Sequence, residues 1–433
     1  MTRLRSMWEP RGRATGALVA SGLLASAAVL FHVGTTDAFN ALAYGGRLVG
    51  VVFVAAALVE LAAVVAVCDL WGRRAVRYSG AAVLVGVGAV LVTDLMFLIT
   101  QIEGRTYTPF LWLWIGLLLW VAWALWALAR LGVWASVPHP RSVALSVVVT
   151  GVVGAAGVGY SQMYVPYSTP VDIPFTVSFG KPTVSADGAF LHLPAHVEFR
   201  NSGSVRIYVV GTLWTVTGYP VTLHPHGSGM ADWKRDMWEW EGTLRHVTYG
   251  PSRMLGVGKF VDPGSRLDPG DDVSGDTVVD VPLRSGLGRV GISATASFVR
   301  ADRGKLGNDY SRNYEASWDT ESAAQKHVWD APGWLAEPGD EFYRYHSKVY
   351  HSSEMLNLTH ATDYASAWWV IPKWRKDSDF AEGDTSPYLK VSISKDPEGE
   401  EVLDDAEQEP YGMVTASRSA ERTIEEFLKD AKR

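Results

Sequence analysis

The feature that most constrains this chain is a series of apolar runs in its first 161 residues, each about 20 residues long, the length a helix needs to cross roughly 30 Å of hydrocarbon. Five such runs lie near residues 15–33, 48–68, 80–101, 109–130 and 142–161. A backbone in lipid must satisfy its own hydrogen bonds, so the runs predict a membrane α-helical bundle of five transmembrane helices. Charge asymmetry predicts its orientation. Arg3, Arg5, Arg11 and Arg13 precede the first run, Arg73, Arg74 and Arg77 fill the second-to-third connection, and Arg130 and Arg141 flank the fourth-to-fifth connection. Only Arg47 and Arg105 occupy the opposite side. The expectation is a multi-pass plasma-membrane protein with a cytoplasmic N-terminus, everything after Tyr160 being extracytoplasmic. The first run has the basic leader and small residues of a signal peptide, but its length predicts a retained span.

After residue 160 the chain holds 28 basic and 40 acidic residues, which argues against nucleic acid as a partner. Its single cysteine, Cys68, precedes this region, so the exported part must be stable through its own core rather than through disulfides. "FLHLPAHVEF", "VRIYVVGTLWTVTGYPV", "TVVDVPL" and "GRVGISATASFV" are short alternating runs bounded by turn residues, and they predict antiparallel strands in an extracytoplasmic all-β sandwich over 172–300. The pattern "VEFRNSGSVRIYVV" followed by "LDPGDD" resembles bacterial immunoglobulin-like, adhesion-type domains. That resemblance implies a binding or spacer module and no catalytic residues.

An insertion at 224–260 places Trp233, Met237 and Trp240 on one helical face, either capping the sandwich core or meeting a partner or the membrane surface. The stretch 301–433 predicts an α+β extension with a C-terminal amphipathic helix. Its acidic segment "DPEGEEVLDDAEQE" predicts a solvated or mobile tract rather than a calcium site.

Two histidine groups have residue types that ligate copper or zinc: His224 with His226, and His192 with His196 and Glu198 on one strand face. Their spacing matches no complete ligand set, so ordinary surface histidines and no bound cofactor are expected. The helix running into "YVPYSTPVDIPFTV", with "HVEFRNSGSVRIYVV" and "LDPGDDVSGDTVVDVP", also resembles the last helix and second exported cupredoxin-like domain of the large subunit of membrane copper monooxygenases. That resemblance implies a copper-dependent oxygenase subunit. The family's His-x-His pair precedes its helices, however, whereas His224 and His226 follow all five runs.

Within the spans, Glu60 and Asp94 stand without a basic side chain, at depths about 9 Å apart by helical rise. Such acids are expected to be protonated, hydrogen-bonded, hydrated or paired with another subunit. They serve either as helix-packing glue or in a proton or ion path. Trp112, Gly116, Trp120 and Trp123 form a stripe on the fourth run, expected to pack helices through Gly116, with a lipid-like ligand groove as the alternative. The favoured function is a non-enzymatic membrane subunit whose acidic sandwich binds or scaffolds other membrane or envelope proteins, in a homo- or hetero-oligomer. The alternative is a proton- or ion-linked transport or sensing subunit using Glu60 and Asp94.

Overall fold

The computed structural model describes residues 10–72, 75–76, 78–133, 171–223, 247–319 and 331–433 without 377 and 379, together with the isolated positions 154, 157, 230 and 234. The chain divides into two compact units. The first comprises Met1–Thr169, Asp302–Lys305 and Tyr350–Thr362, and the second the remainder.

The first unit contains four helices long and apolar enough to cross a membrane: α1 (Pro10–Asn40), α2 (Tyr44–Trp71), α3 (Ser79–Glu103) and α4 (Leu111–Arg130). The fifth expected span, 142–161, lies outside the described residues. α1 packs on α2, α2 on α3, α3 on α4, and α4 returns to α1. α1 and α2 touch backbone to backbone. A Cβ on Gly50 would come within 2.7 Å of the Gly34 carbonyl, so only glycine permits this crossing. Gly116, by contrast, is exposed and has nothing within 4 Å of its Cβ position among the described residues. Trp120 packs instead across Gly22 of α1, its indole N–H donating to the Leu18 carbonyl at 3.1 Å. The expected packing through Gly116 is thus corrected: the inward stripe of α4 is Trp114, Leu117, Val121, Ala124 and Leu128.

The short helix α5 (Glu354–Thr359) also belongs to this unit. The Asp37 carboxylate of α1 accepts from the N–H groups of Glu354 (2.5 Å) and Met355 (3.3 Å), satisfying two donors that a helix start leaves open. Leu42 N–H donates to Ser352 O, and Met355 is fully buried among helix side chains.

The second unit is an antiparallel β region in three sheets. In the first, β3 (Phe190–Arg200) is flanked by β1 (Phe175–Phe179) and β2 (Thr183–Val184) on one edge and by β8 (Asp272–Pro282) on the other. In the second, β4 (Ile207–Leu223) pairs with β9 (Leu287–Arg300), and also with β5 (Val247–Tyr249), β6 (Arg253–Gly258) and β7 (Arg266–Leu267). β15 (Val414–Thr423) extends the far edge of β9. The third contains β12 (Glu341–His351), β13 (Asp363–Ile371) and β14 (Tyr388–Ser394), with β10 (Gly304–Leu306) and β11 (Tyr314–Ala316) on β12.

Alternation in β3 sends Leu191, Leu193, Ala195, Val197 and Phe199 inward, where they meet Ile292, Ala294, Ala296 and Phe298 of β9. The opposite face of the second sheet, through Val210, Leu213 and Val299, covers the third sheet through Ala365, Ala367 and Trp369. The β4–β9 sheet is therefore buried on both faces, which explains the nearly continuous apolar run of β4. The C-terminal stretch is correspondingly more β-rich than the α+β reading. Besides α5, its described α-helices are α6 (Asp405–Gln408) and α7 (Ile424–Ala431), the latter held by a Thr423/Glu426 capping box and burying Phe427.

The acidic segment keeps most of its described acids exposed, as a solvated tract would, and its first turn is ordered. The Asp396 carboxylate accepts from the N–H groups of Glu400 (3.0 Å) and Glu401 (2.6 Å), closing a turn over Arg344. The Arg344 guanidinium is buried, donates to the carbonyls of Pro397 and Glu398, lies 3.2 Å from Glu315 and covers the Trp368 ring at 4.4 Å. Local composition marks this turn as solvated because Arg344 arrives from a strand some fifty residues earlier.

Candidate functional site

Glu60 lies on the α2 face that carries Phe53, Ala57, Ala63 and Val67, and its residue is 0% exposed. Asp94 lies between Val90 and Phe97 on α3 and is 2% exposed. Two lateral contacts fix the register of these helices. Gly86 sits against Ala63, and the rings of Phe53 and Phe97 stack at 5.4 Å. Glu60 therefore stands opposite the level of Val90, and Asp94 one helical turn from it, about 6 Å along the bundle. This is closer than the spacing counted from span ends, because packing, not span length, sets the levels.

Among the described residues, neither carboxylate oxygen of Glu60, neither of Asp94, nor the indole N–H of Trp114 has a hydrogen-bond partner. Ser26 of α1 approaches Glu60 but falls short of hydrogen-bond geometry. Apolar side chains close both sides of this layer. Toward the Ser79 end of α3 are Leu23, Ala63, Val67, Val87 and Val121. Toward the Glu103 end, Phe97 is stacked between Phe53 and Trp114, the latter at 4.5 Å.

Beyond that stack the interior becomes polar again. Thr100, Gln101 and Thr108 are buried, and the Gln101 side-chain amide donates to the Thr106 carbonyl at 2.8 Å. The Thr108 hydroxyl lies 2.8 Å from Gln101 Oε1 and 2.9 Å from the Leu358 carbonyl, its one proton serving either. His351 and His360 complete this end, with ring centres 5.1 Å apart. His351 Nε2 is 3.2 Å from the Ala361 carbonyl, and His360 Nδ1 is 3.0 Å from Thr359 Oγ1. Burial, then the neighbouring His360, holds the His351 imidazole down to about 4, and burial also lowers His360. Sequence reading misses this pair because the two residues belong by position to the β-rich stretch.

His192 and His196 do share the outward face of β3, as expected from alternation. Four strand residues separate them by about 13 Å, too far for one ion. Each meets its own cross-strand carboxylate on β8: His192 Nδ1 with Asp280 at 2.6 Å, and His196 Nδ1 with Asp276 at 2.8 Å. Asp276, aided by Glu198, raises the His196 imidazole above its usual range. Pro194 does not break the strand. It falls in the gap between β1 and β2, where no ladder N–H is required, and its carbonyl accepts from Gly180 at 2.8 Å. Among the described residues no group of three or more His, Cys, Asp or Glu is placed to hold a metal. His224, His226, Trp233, Met237 and Trp240 lie outside the described residues.

A further cluster has no counterpart in the sequence reading. Lys259 Nζ donates to the Tyr345 hydroxyl at 3.1 Å and lies 4.9 Å, 5.5 Å and 5.9 Å from the ring centres of Tyr345, Tyr343 and Trp369. Tyr314 and Trp318 form its rim, Trp318 stacking on Tyr343 at 6.3 Å.

No protein-family model matches the chain, and no curated protein matches it. Among solved structures the chain is similar to a Bordetella pertussis protein described as ApaA, at 14% identity over 30% of this chain and 82% of that one, with a TM-score of 0.17. A likeness of that size carries no inference about activity.

Proposed function

We propose that the chain is a non-enzymatic, multi-pass membrane protein whose β unit lies outside the cell as a binding or scaffold surface for another membrane or envelope protein. The observation that carries this reading is the aromatic rim of the second unit. Tyr314 and Trp318 remain 55% and 49% exposed above packed Tyr343 and Trp369, in a region of net acidic charge. Exposed Tyr and Trp over a well-packed layer are characteristic of protein contact surfaces. In this reading the run 142–161 is a fifth span, the N-terminus is cytoplasmic, and 172–300 is built on immunoglobulin-like lines. Exposed Val52, Val65, Trp112 and Leu119 on the helices support embedding in lipid.

A photo-reactive residue at position 318 of the full-length protein in cells tests the proposal. Discrete protein adducts, lost when Tyr314→Ala is added, are expected. The double variant Glu60→Gln/Asp94→Asn should fold and reach the surface as wild type does. Absence of any protein adduct overturns the reading.

A further inference from the structure

We propose that Glu60 and Asp94 form a proton-binding site inside the helix bundle, entered from the Glu103 end of α3 and closed by the Phe53–Phe97–Trp114 stack.

The first support is the set of orphan atoms. Among the described residues, four carboxylate oxygens and one indole N–H are buried without a hydrogen-bond partner at adjacent levels of one interior. Buried polar atoms in folded proteins are almost always satisfied, and in a membrane interior the cost of leaving them open is higher still. Something therefore completes this layer.

A proton fits better than a metal ion. A sodium-sized or larger cation requires several converging oxygens. Here the two acids come from different helices about one turn apart, and their level is lined by Ala57, Val90 and Leu117. The Thr93 and Thr100 hydroxyl protons are committed to their own helix, 2.9 Å from the Ala89 and Met96 carbonyls, and the Ser26 hydroxyl that approaches Glu60 adds a single neutral oxygen. A proton needs only the carboxylate itself, and it converts a charge that is costly in hydrocarbon into a neutral group.

Sidedness follows from what lies above and below. Toward the Ser79 end the buried face of α3 is Val90, Val87, Gly86, Leu84 and Val83, with no hydrogen-bonding side chain until Ser79 itself. Toward the Glu103 end the same face continues through Thr100 and Gln101 to Thr108. Only the three stacked rings interrupt that polar stripe. A site with one polar approach exchanges its ligand with one compartment, which suits sensing and not transport. Under the positive-inside orientation that compartment is the extracytoplasmic side.

The test uses the full-length protein in sealed liposomes, with a membrane-permeant carbodiimide that couples to protonated carboxyls in apolar surroundings and mass spectrometry to locate the adduct. Orientation is scored separately by amine labelling of the lysines, all of which follow residue 180, so a reversed topology and a failed site give different results. Adducts at Glu60 or Asp94 should fall by up to about tenfold per pH unit as the pH rises on the Glu103 side, with pH on the other side without effect. Phe97→Ala should speed the response several-fold while leaving its midpoint in place. Adduct yield that ignores pH on both sides, or follows the Ser79 side, overturns the proposal, as does a natively folded protein that forms no adduct. These outcomes are read on wild type and therefore do not depend on how Glu60→Gln or Asp94→Asn folds.

Discussion

Replacing Arg344 with methionine tests the packing of the second unit most sharply. Arg344 and Glu315 are 1% and 5% exposed in their side chains, and the guanidinium also caps the carbonyls of Pro397 and Glu398. Methionine removes the guanidinium that lies over the Trp368 ring and takes its charge away from buried Glu315. Removing one partner of a buried pair costs about 3–5 kcal/mol. For a unit of this size each kcal/mol moves the melting midpoint by roughly 2–4 °C, so the loss is about 6–20 °C. The double variant Arg344→Met/Glu315→Leu removes both charges together and should recover most of that loss, because the penalty belongs to breaking one side of a buried pair. The assay is thermal unfolding in detergent, followed by near-ultraviolet circular dichroism. A single variant within about 2 °C of wild type, or a double variant at least as damaged as the single, refutes the reasoning.

Three further outcomes follow from particular contacts. Gly50→Val should drive a side chain into the Gly34 carbonyl and disrupt the α1–α2 crossing by about 3 kcal/mol or more, whereas Gly116→Val, facing open space, should be near neutral; both are read by thermal aggregation in detergent. His351 has its folded value depressed from 6.5 to about 4, so its contribution is intact above about pH 6.5 and is lost as pH falls toward 4, on the order of 3 kcal/mol in all; His351→Gln should flatten that part of the stability profile. His196 is raised by Asp276, so the stability from that pair is present at low pH and fades as pH rises through the folded value. Asp276→Asn should lower the His196 midpoint in an NMR titration, and an unmoved midpoint removes Asp276 as the cause.

How much of this is legible in the sequence depends on the range of the interaction. The four described helices long and apolar enough to cross a membrane follow from apolar length alone, since a crossing sets that requirement locally. The strand face carrying His192 and His196 follows from alternation, but their partners Asp276 and Asp280 depend on how β8 registers against β3 some eighty residues away. The α4 stripe is misread for the same reason. Tryptophan abundance hides which face turns inward, and Trp120 finds its glycine on α1 rather than on its own helix. The exposure of the acids around Asp396 follows from composition, but the order of that turn depends on Arg344 placed beneath it. Glu60 and Asp94 stand out early because any acid in an apolar run does. Their empty hydrogen-bond shells and the one-sided polar stripe require the helix register.

Sidedness tests the proposal that the β unit lies outside the cell. Intact cells bearing Cys68→Ser/Ala75→Cys would be treated with membrane-impermeant amine and thiol reagents, then compared with inverted vesicles. Ala75 is exposed between α2 and α3, and every lysine follows residue 180. The account predicts lysine labelling only from outside and labelling of the introduced thiol only from inside. Thiol labelling in intact cells together with protected lysines would contradict it.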